Sequence, residues 1–299
     1  MDDIAFPDHE YLTVKELADL LRMKERKIYD LASSGAVPVS KATGKLLFPA
    51  AEIRAWIENA KSGGIAGSSA ASTTRPPIVL GSHDPLLDWA IRQSRCGLAS
   101  YYDGSLDGVD RFVRGEGIAA GLHIHDATSD RWNVPTVSDL ASDQNAVLVA
   151  FAARKRGLVY RADGIALGGL SDLAGRRFVP RQAESGTDAL FREIAGREGL
   201  DLSHLTLADV ARTEDEAVEA VRRGDADTTF GLEAVARSYG LEFLPVIEEH
   251  FALLVDRKAW FEAPVQKLMA FCATDTFANR AKTSGGYDIV DLGKVIWNA

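Results

Sequence analysis

"PPIVLGSHDPLLDWAIRQSRCGLASYYDGSLDGVDRFVRGEGIAAGLHIHDA", residues 76–127, alternates short apolar runs with amphipathic stretches. Its order reads strand, Gly-Ser turn, helix, strand, Gly-Ser turn, helix, strand, which is the pattern of an open α/β sheet. Ser82 stands ahead of a helix expected from Asp84 to Arg95, and Ser105 ahead of one expected from Leu106 to Arg114. In such sheets ligands lie beyond the carboxyl ends of the strands, where both turns fall.

Working outward, "AVLVAFAARKRGLVY" at 146–160 reads as a strand crossing into a second lobe, and "LEFLPVIEEHFALLV" at 241–255 as the strand that returns. Two crossings make a hinge. Beyond the first of them, "RFVPRQAESGTDALFREI" at 177–194 breaks from a strand into a polar turn and then a helix, with Ser185, Gly186 and Thr187 together at the break. Taken alone this is an ordinary Ser or Thr cap. A helix start also leaves backbone N–H groups without partners, which suits an anion. Ser82, Ser105 and the 185–187 turn together predict a cleft between two lobes at which several helix N-termini aim.

The bulk properties set limits. The 299 residues allow more than one domain, and no run approaches the roughly 18 apolar residues that crossing a bilayer needs. The acidic start "MDDIAFPDHE" is unlike a secretory leader, so a cytoplasmic protein is expected. Cys96 and Cys272 lie far apart in apolar surroundings and read as packing residues. Residues 1–77 carry ten basic and ten acidic side chains, so the net charge of −9 belongs to the rest of the chain. Within that neutral part, Arg22, Lys24, Arg26, Lys27, Lys41 and Lys45 face only Glu25 and Asp30, a local basic stripe suited to a polyanion.

"KSGGIAGSSAASTTRPP", residues 61–77, is nearly all Gly, Ser, Ala, Thr and Pro and reads as a flexible tether. The expected domains are therefore 1–60, a small helical domain, and 78–299, the two-lobed α/β domain. In the first, Thr13 and Glu16 form a capping box ahead of an apolar helical repeat. After a break at Met23 and Lys24, a second helix turns Ile28, Tyr29 and Leu31 inward, with Lys24, Arg26 and Lys27 outside. "PVSKATGKLLFP" reads as a hairpin with Lys41, Thr43 and Lys45 near its tip, and a closing helix buries Trp56 and Ile57.

The segments "LTVKELADLLRMKERKIYDLASSGAVP" and "IRAWI" resemble the excisionase and MerR-like winged helix-turn-helix family over about 50 residues. Arg22 and Met23 depart from it where Gly and an aliphatic residue are common. The resemblance implies double-stranded DNA as partner, with Lys24, Arg26, Lys27 and Tyr29 on the groove and Lys41, Thr43 and Lys45 on the wing. One such domain touches few base pairs, so a homodimer on a repeated site is expected.

Five motifs, "GSHDP" at 81–85, "GSLDG" at 104–108, "AAGLHIHD" at 119–126, "PRQAESGTD" at 180–188 and "GDADTTFGLEAVA" at 224–236, resemble in order the type II periplasmic-binding-protein fold. More narrowly they resemble the binding-protein-like domain of regulators related to molybdate and tungstate metabolism. That resemblance implies a pocket of Ser82, His83, Ser105, His123, Arg181, Gln182, Ser185, Gly186, Thr187 and Glu233. Two departures, Glu184 and Asp188, place carboxylates where the family has Gly and Arg, and would repel a multiply charged oxyanion if they face the cleft.

His123, His125, Asp126 and His83 could be a metal set, but imidazoles also serve an anion by hydrogen bonding, and no metal or cofactor is expected. No GxSxG elbow, Walker A or HExxH motif occurs, so no catalytic residues are expected. The expected protein is a ligand-responsive transcription regulator whose effector is an oxyanion such as molybdate or tungstate. The alternatives are a small polar organic or molybdenum-cofactor-related effector, or a DNA-binding assembly protein with no small ligand.

Overall fold

The computed structural model describes residues 9–34, 37–40, 44–59, 75–164, 167–183 and 185–299. Lys41, Thr43, Glu184 and positions 61–74 of the expected tether lie outside the described residues. The chain divides into two compact units, the second of which runs Arg75–Ala299.

In the first unit the strand Tyr11–Leu12 pairs antiparallel with Phe48–Pro49. The helix Val14–Leu20 begins at the expected capping box: Thr13 Oγ1 accepts the Glu16 N–H at 3.3 Å, and the Glu16 carboxylate accepts the Thr13 N–H at 2.7 Å. Helices Glu25–Ser33 and Ala50–Asn59 complete the unit. Leu12, Leu17, Ile28, Val37, Phe48 and Ile53 form its core, and Trp56 and Ile57 pack against it.

Between the first two helices Arg22 has φ of 52°, the left-handed region that costs an L-residue about 1–2 kcal/mol and a glycine almost nothing. Replacing Arg22 by Gly is therefore expected to stabilise this unit by up to about 1 kcal/mol, part of the gain being offset by the freer unfolded chain. Urea denaturation read by hydrogen exchange in the two flanking helices checks it; a loss of stability would mean that the Arg22 side chain makes up more than the turn costs.

The second unit is built on one ten-stranded sheet. Its strand order is Thr206–Leu207, Arg177–Val179, Thr228–Leu232, Ala146–Tyr160, Glu242–Asp256, Ala119–Leu122, Ile78–Gly81 and Ala99–Ser100, with Tyr287–Asp288 and Val295–Asn298 also paired to the 146–160 strand. Within each lobe the short strands are parallel, as helical crossovers require. The two fifteen-residue strands run antiparallel through both lobes. They are the expected crossings. Residues 119–122 dock on the far end of the return strand, and residues 228–232 on the far end of the outgoing one.

Each lobe buries its own core. The helix Pro85–Ser94 covers one face of the first lobe with Leu86, Leu87, Ala90 and Ile91, and Ser105–Val113 covers the other with Val109 and Phe112. In the second lobe Leu190, Phe191 and Ile194 of the helix Gly186–Arg197 pack on Phe178 and Phe230. Cys96 and Cys272 are buried and unbonded.

Arg75 to Pro77, assigned to the tether on composition, belong to this unit. The Arg75 guanidinium lies 4.4 Å over the Phe112 ring, bonds the Phe112 and Gly117 carbonyls, and reaches Gln144 at 3.0 Å. A guanidinium that finds carbonyls and an aromatic face orders the chain that carries it.

Two glycines set the approach of strand and helix near the cleft. Gly81 has φ of 92°, and a Cβ there would meet the Gly121 carbonyl oxygen at 2.3 Å; a Cβ on Gly108 would meet the Gly81 Cα at 2.3 Å. With neither Cβ present, the 105–113 helix sinks onto the 78–81 strand. Ser82 Oγ then comes to 2.8 Å from Ser105 Oγ.

Candidate functional site

Between the lobes lies a cavity of about 410 Å³ whose walls include Ser82, His83, Tyr102, His123, Arg156 and Arg181, with Ser185, Gly186, Thr187 and 212–215 opposite. Six of the ten expected residues share it with Arg181: Ser82, His83, His123, Ser185, Gly186 and Thr187. The other three do not line it. Ser105 is buried behind Ser82, where its Oγ accepts the His123 N–H at 3.1 Å. Gln182 lines the outer groove with Leu106 and Val210, its amide 3.5 Å from the Asp103 carbonyl oxygen. Glu233 is held by Arg237 one turn along its own helix, at 2.5 Å.

The turn at 185–187 does both things open to it. Ser185 caps its helix, its Oγ accepting the Asp188 N–H at 3.1 Å. The N–H groups of Gly186 and Thr187 are left without partners among the described residues, and both residues line the cavity. Ser82 does not cap the helix that follows it. Asp84 takes that place, accepting the Leu87 N–H at 2.7 Å, because its carboxylate can cap and still reach Arg154. Asp188 turns from the cavity to Arg192 at 2.5 Å, so the repulsion expected from it does not arise there.

Arg181 lines the cavity but its guanidinium is taken. It bonds the Ala211 and Arg212 carbonyls at 3.2 and 2.8 Å and lies 3.4 Å from Glu214. Arg212 is exposed at the cavity wall; its N–H donates to the Glu216 carboxylate at 2.6 Å, while its guanidinium has no partner among the described residues.

A buried ion network centred on the crossing strands reaches the cavity at Arg156 and Glu214, and sequence reasoning missed it. Arg154 bonds Asp84 at 2.8 Å and also Glu249, its direct cross-strand neighbour. Arg156 grips Glu249 at 2.8 and 3.1 Å and Glu214 at 2.6 Å. Tyr287 donates to Asp84 at 2.8 Å. Burial alone would raise the Glu249 carboxyl, but Arg154 and Arg156 beside it hold it well below the usual carboxylate range. Burial lowers the His123 imidazole below its ordinary value, against the pull of Glu249, whose Oε2 lies 3.2 Å from Nδ1.

The histidines that could form a metal set do not converge. His125 is held by Glu193 at 2.9 Å and Asp130 at 3.1 Å, away from His123, and no group of three or more His, Cys, Asp or Glu among the described residues is placed to hold a metal.

On the first unit, Lys24 is the N-cap of the Glu25–Ser33 helix, and Arg26, Lys27 and Lys45 are exposed. Tyr29 is 52 % exposed, so it does not face inward; Ile28 and Ala32 take that face, one turn apart. It stands with the basic residues instead.

Two parallel-stranded lobes joined by two crossing strands, with a polar cavity between them, define a binding-protein domain. The chain belongs to the PBP superfamily, whose domain model matches residues 89–273. A helix-turn-helix domain model matches residues 11–61, placing a DNA-binding domain before it. The YvgK protein of Bacillus subtilis (strain 168) is 23% identical over 300 residues, covering 95% of this chain and 97% of that one. A putative phosphate ABC transporter substrate-binding protein from Clostridium perfringens, solved with bound phosphate, aligns over 71% of this chain and 98% of that chain. At a TM-score of 0.50 and 11% identity, that likeness is one of fold. No helix among the described residues is long and apolar enough to cross a membrane.

Proposed function

We propose that the chain is a one-component, cytoplasmic transcription regulator that acts as a homodimer, reading DNA with its first unit and sensing a small organic anion with its second. The observation that carries this is the pair of N–H groups at Gly186 and Thr187, in a cavity that also holds Ser82, His123 and the Arg212 guanidinium; neither N–H nor this guanidinium has a partner among the described residues. An anion there meets donors from both lobes, so binding favours the arrangement in which the lobes meet. The effector shifts DNA affinity by its differential affinity for the two arrangements.

Size and charge favour an organic anion over molybdate or tungstate. The lobes already touch at Gly186, where an added Cβ would sit 3.1 Å from the His123 ring, and about 410 Å³ still remains. That is within the range of cavities for small organic ligands and several times what a tetrahedral oxyanion fills, a water occupying about 30 Å³. Arg181, the guanidinium expected on an oxyanion, is occupied by carbonyls and Glu214.

A thermal-shift panel of molybdate, tungstate, sulfate, phosphate and small hydroxy and dicarboxylic acids tests this. An effector at 100 times its Kd adds about 2.7 kcal/mol, a rise in Tm of about 5–10 °C for a domain of this size. The organic acids are expected to shift it and the bare oxyanions not. A response to molybdate or tungstate alone restores the oxyanion reading; no response to any member leaves the assembly protein.

A further inference from the structure

Resting on that anion-sensor reading, we infer that the effector carries a hydrogen-bond donor beside its anionic group, and that His123 Nε2 selects it. The class is a hydroxy acid or a singly protonated phosphate.

His123 is fixed from three sides. Its backbone N–H is held by Ser105 Oγ at 3.1 Å, its ring stacks near Phe251 with centroids 6.3 Å apart, and its Nδ1 lies 3.2 Å from Glu249 Oε2. Glu249 is anionic, since Arg154 and Arg156 both bond it. A lone pair on Nδ1 would repel that carboxylate, so the Nδ1 proton stands on this side of the ring. Nδ1 makes no hydrogen bond to a described residue by geometry, so the 3.2 Å contact is Coulombic. Burial, helped by the guanidiniums of Arg154 and Arg156, outweighs the opposing pull of Glu249 and lowers the imidazole below its ordinary value, which favours the neutral ring.

A neutral imidazole protonated on Nδ1 presents a lone pair on Nε2. The ring lies against Gly186 with Cε1 foremost: a Cβ there would stand 3.1 Å from Cε1, 3.5 Å from Nε2 and 3.6 Å from Nδ1. No described residue donates to Nε2, and His123 is only 5 % exposed, so bulk water is a poor substitute. The cavity therefore sets an acceptor close to the Gly186 and Thr187 donors. Sulfate, molybdate and tungstate carry no proton near neutral pH and would set lone pair against lone pair. A hydroxyl next to a carboxylate, or the one proton of hydrogenphosphate, completes both halves. Leaving a buried polar group unpaired is the strong form of discrimination.

Calorimetric titration of the full chain near neutral pH compares pairs matched in charge: malate with succinate, and hydrogenphosphate with sulfate. The donor-bearing member of each pair is expected to bind about 10-fold or more tightly. His123→Phe is expected to make the members of each pair equal. His123→Gln, whose amide oxygen can accept at the same place, is expected to keep the preference. Equal binding of both members by the unaltered protein overturns the inference and leaves the anion sensor standing. Sulfate binding that strengthens as pH falls also overturns it, because His123 then acts as an imidazolium donor. No binding by any of the four, or by molybdate, overturns the sensor reading and the inference with it. Should His123→Phe fail to fold, the pairwise preference of the unaltered protein and of His123→Gln decides.

Discussion

Replacing Glu249 by Leu is expected to destabilise the second unit by about 3–5 kcal/mol, a fall in Tm of about 10 °C for a domain of this size. Glu249 is fully buried on the return strand and lies between two guanidiniums that are themselves 1 % exposed. It accepts from Arg154 and twice from Arg156. Leucine fills similar space and leaves two positive charges with only Asp84 and Glu214 to answer them, far from water. The loss measures the cost of unpaired buried charge, which is larger than the net worth of the network. A surface pair gives the contrast: Glu219→Ala, which breaks an exposed contact with Arg222, is expected to cost less than about 1 kcal/mol. Calorimetric unfolding of both variants decides, and equal small losses would mean that water reaches the hinge.

The same residue gives the pH dependence a sign. The Glu249 carboxyl in the folded chain is held well below its ordinary range by Arg154 and Arg156, despite burial. Its stabilisation is therefore complete above about pH 4.5 and lost as pH falls from there through the folded value. Glu214 follows the same direction: burial would raise it, and Arg156 and Arg181 lower it. Acid unfolding of the unaltered chain should be steeper below about pH 4.5 than that of Glu249→Leu, in which one such titration is gone.

The lobes and crossings were legible because their signals are local. A fifteen-residue, mostly apolar stretch such as 146–160 is too long to end within one lobe, and strand-to-turn-to-helix punctuation marks each unit of the sheet. Four of the expected turn residues, Ser82, Ser185, Gly186 and Thr187, line the cavity because a turn after a parallel strand opens to that side whatever its sequence. The ion network was not legible as contacts, since its Arg–carboxylate pairs join residues 58 to 95 positions apart. Yet "RKR" carried an unused signal: Arg154 and Arg156 share one face of an otherwise apolar strand, a position for charge only if charge waits opposite. For Glu233 the simpler local rule won, a Glu followed four residues on by Arg237 in a helix. Arg181 was drawn to the carbonyls of 211 and 212 by a bridge between its strand end and a loop thirty residues away, and no sequence pattern announces that.

Replacing both Arg26 and Lys27 by Ala is expected to give the largest loss of DNA binding. Both side chains are exposed near the start of the Glu25–Ser33 helix, while the core contacts of that helix come from Ile28 and Ala32. Alanine favours helix, so the fold should persist. An arginine on a guanine edge contributes about 1–3 kcal/mol of discrimination, and a lysine on a phosphate contributes a sequence-independent attraction. Anisotropy titrations against salt separate the two. Each phosphate contact removed flattens the slope of log K against log salt by about 0.9, so in the single variant Lys27→Ala one bound copy of the chain changes it by about 0.9 and a bound pair by about 1.8. A mixed-sequence duplex suffices for that slope, because phosphates are the same along any sequence. The size of the change thus reports how many copies grip the DNA at once, which bears on the proposed homodimer, and an unaltered slope would take this helix off the DNA.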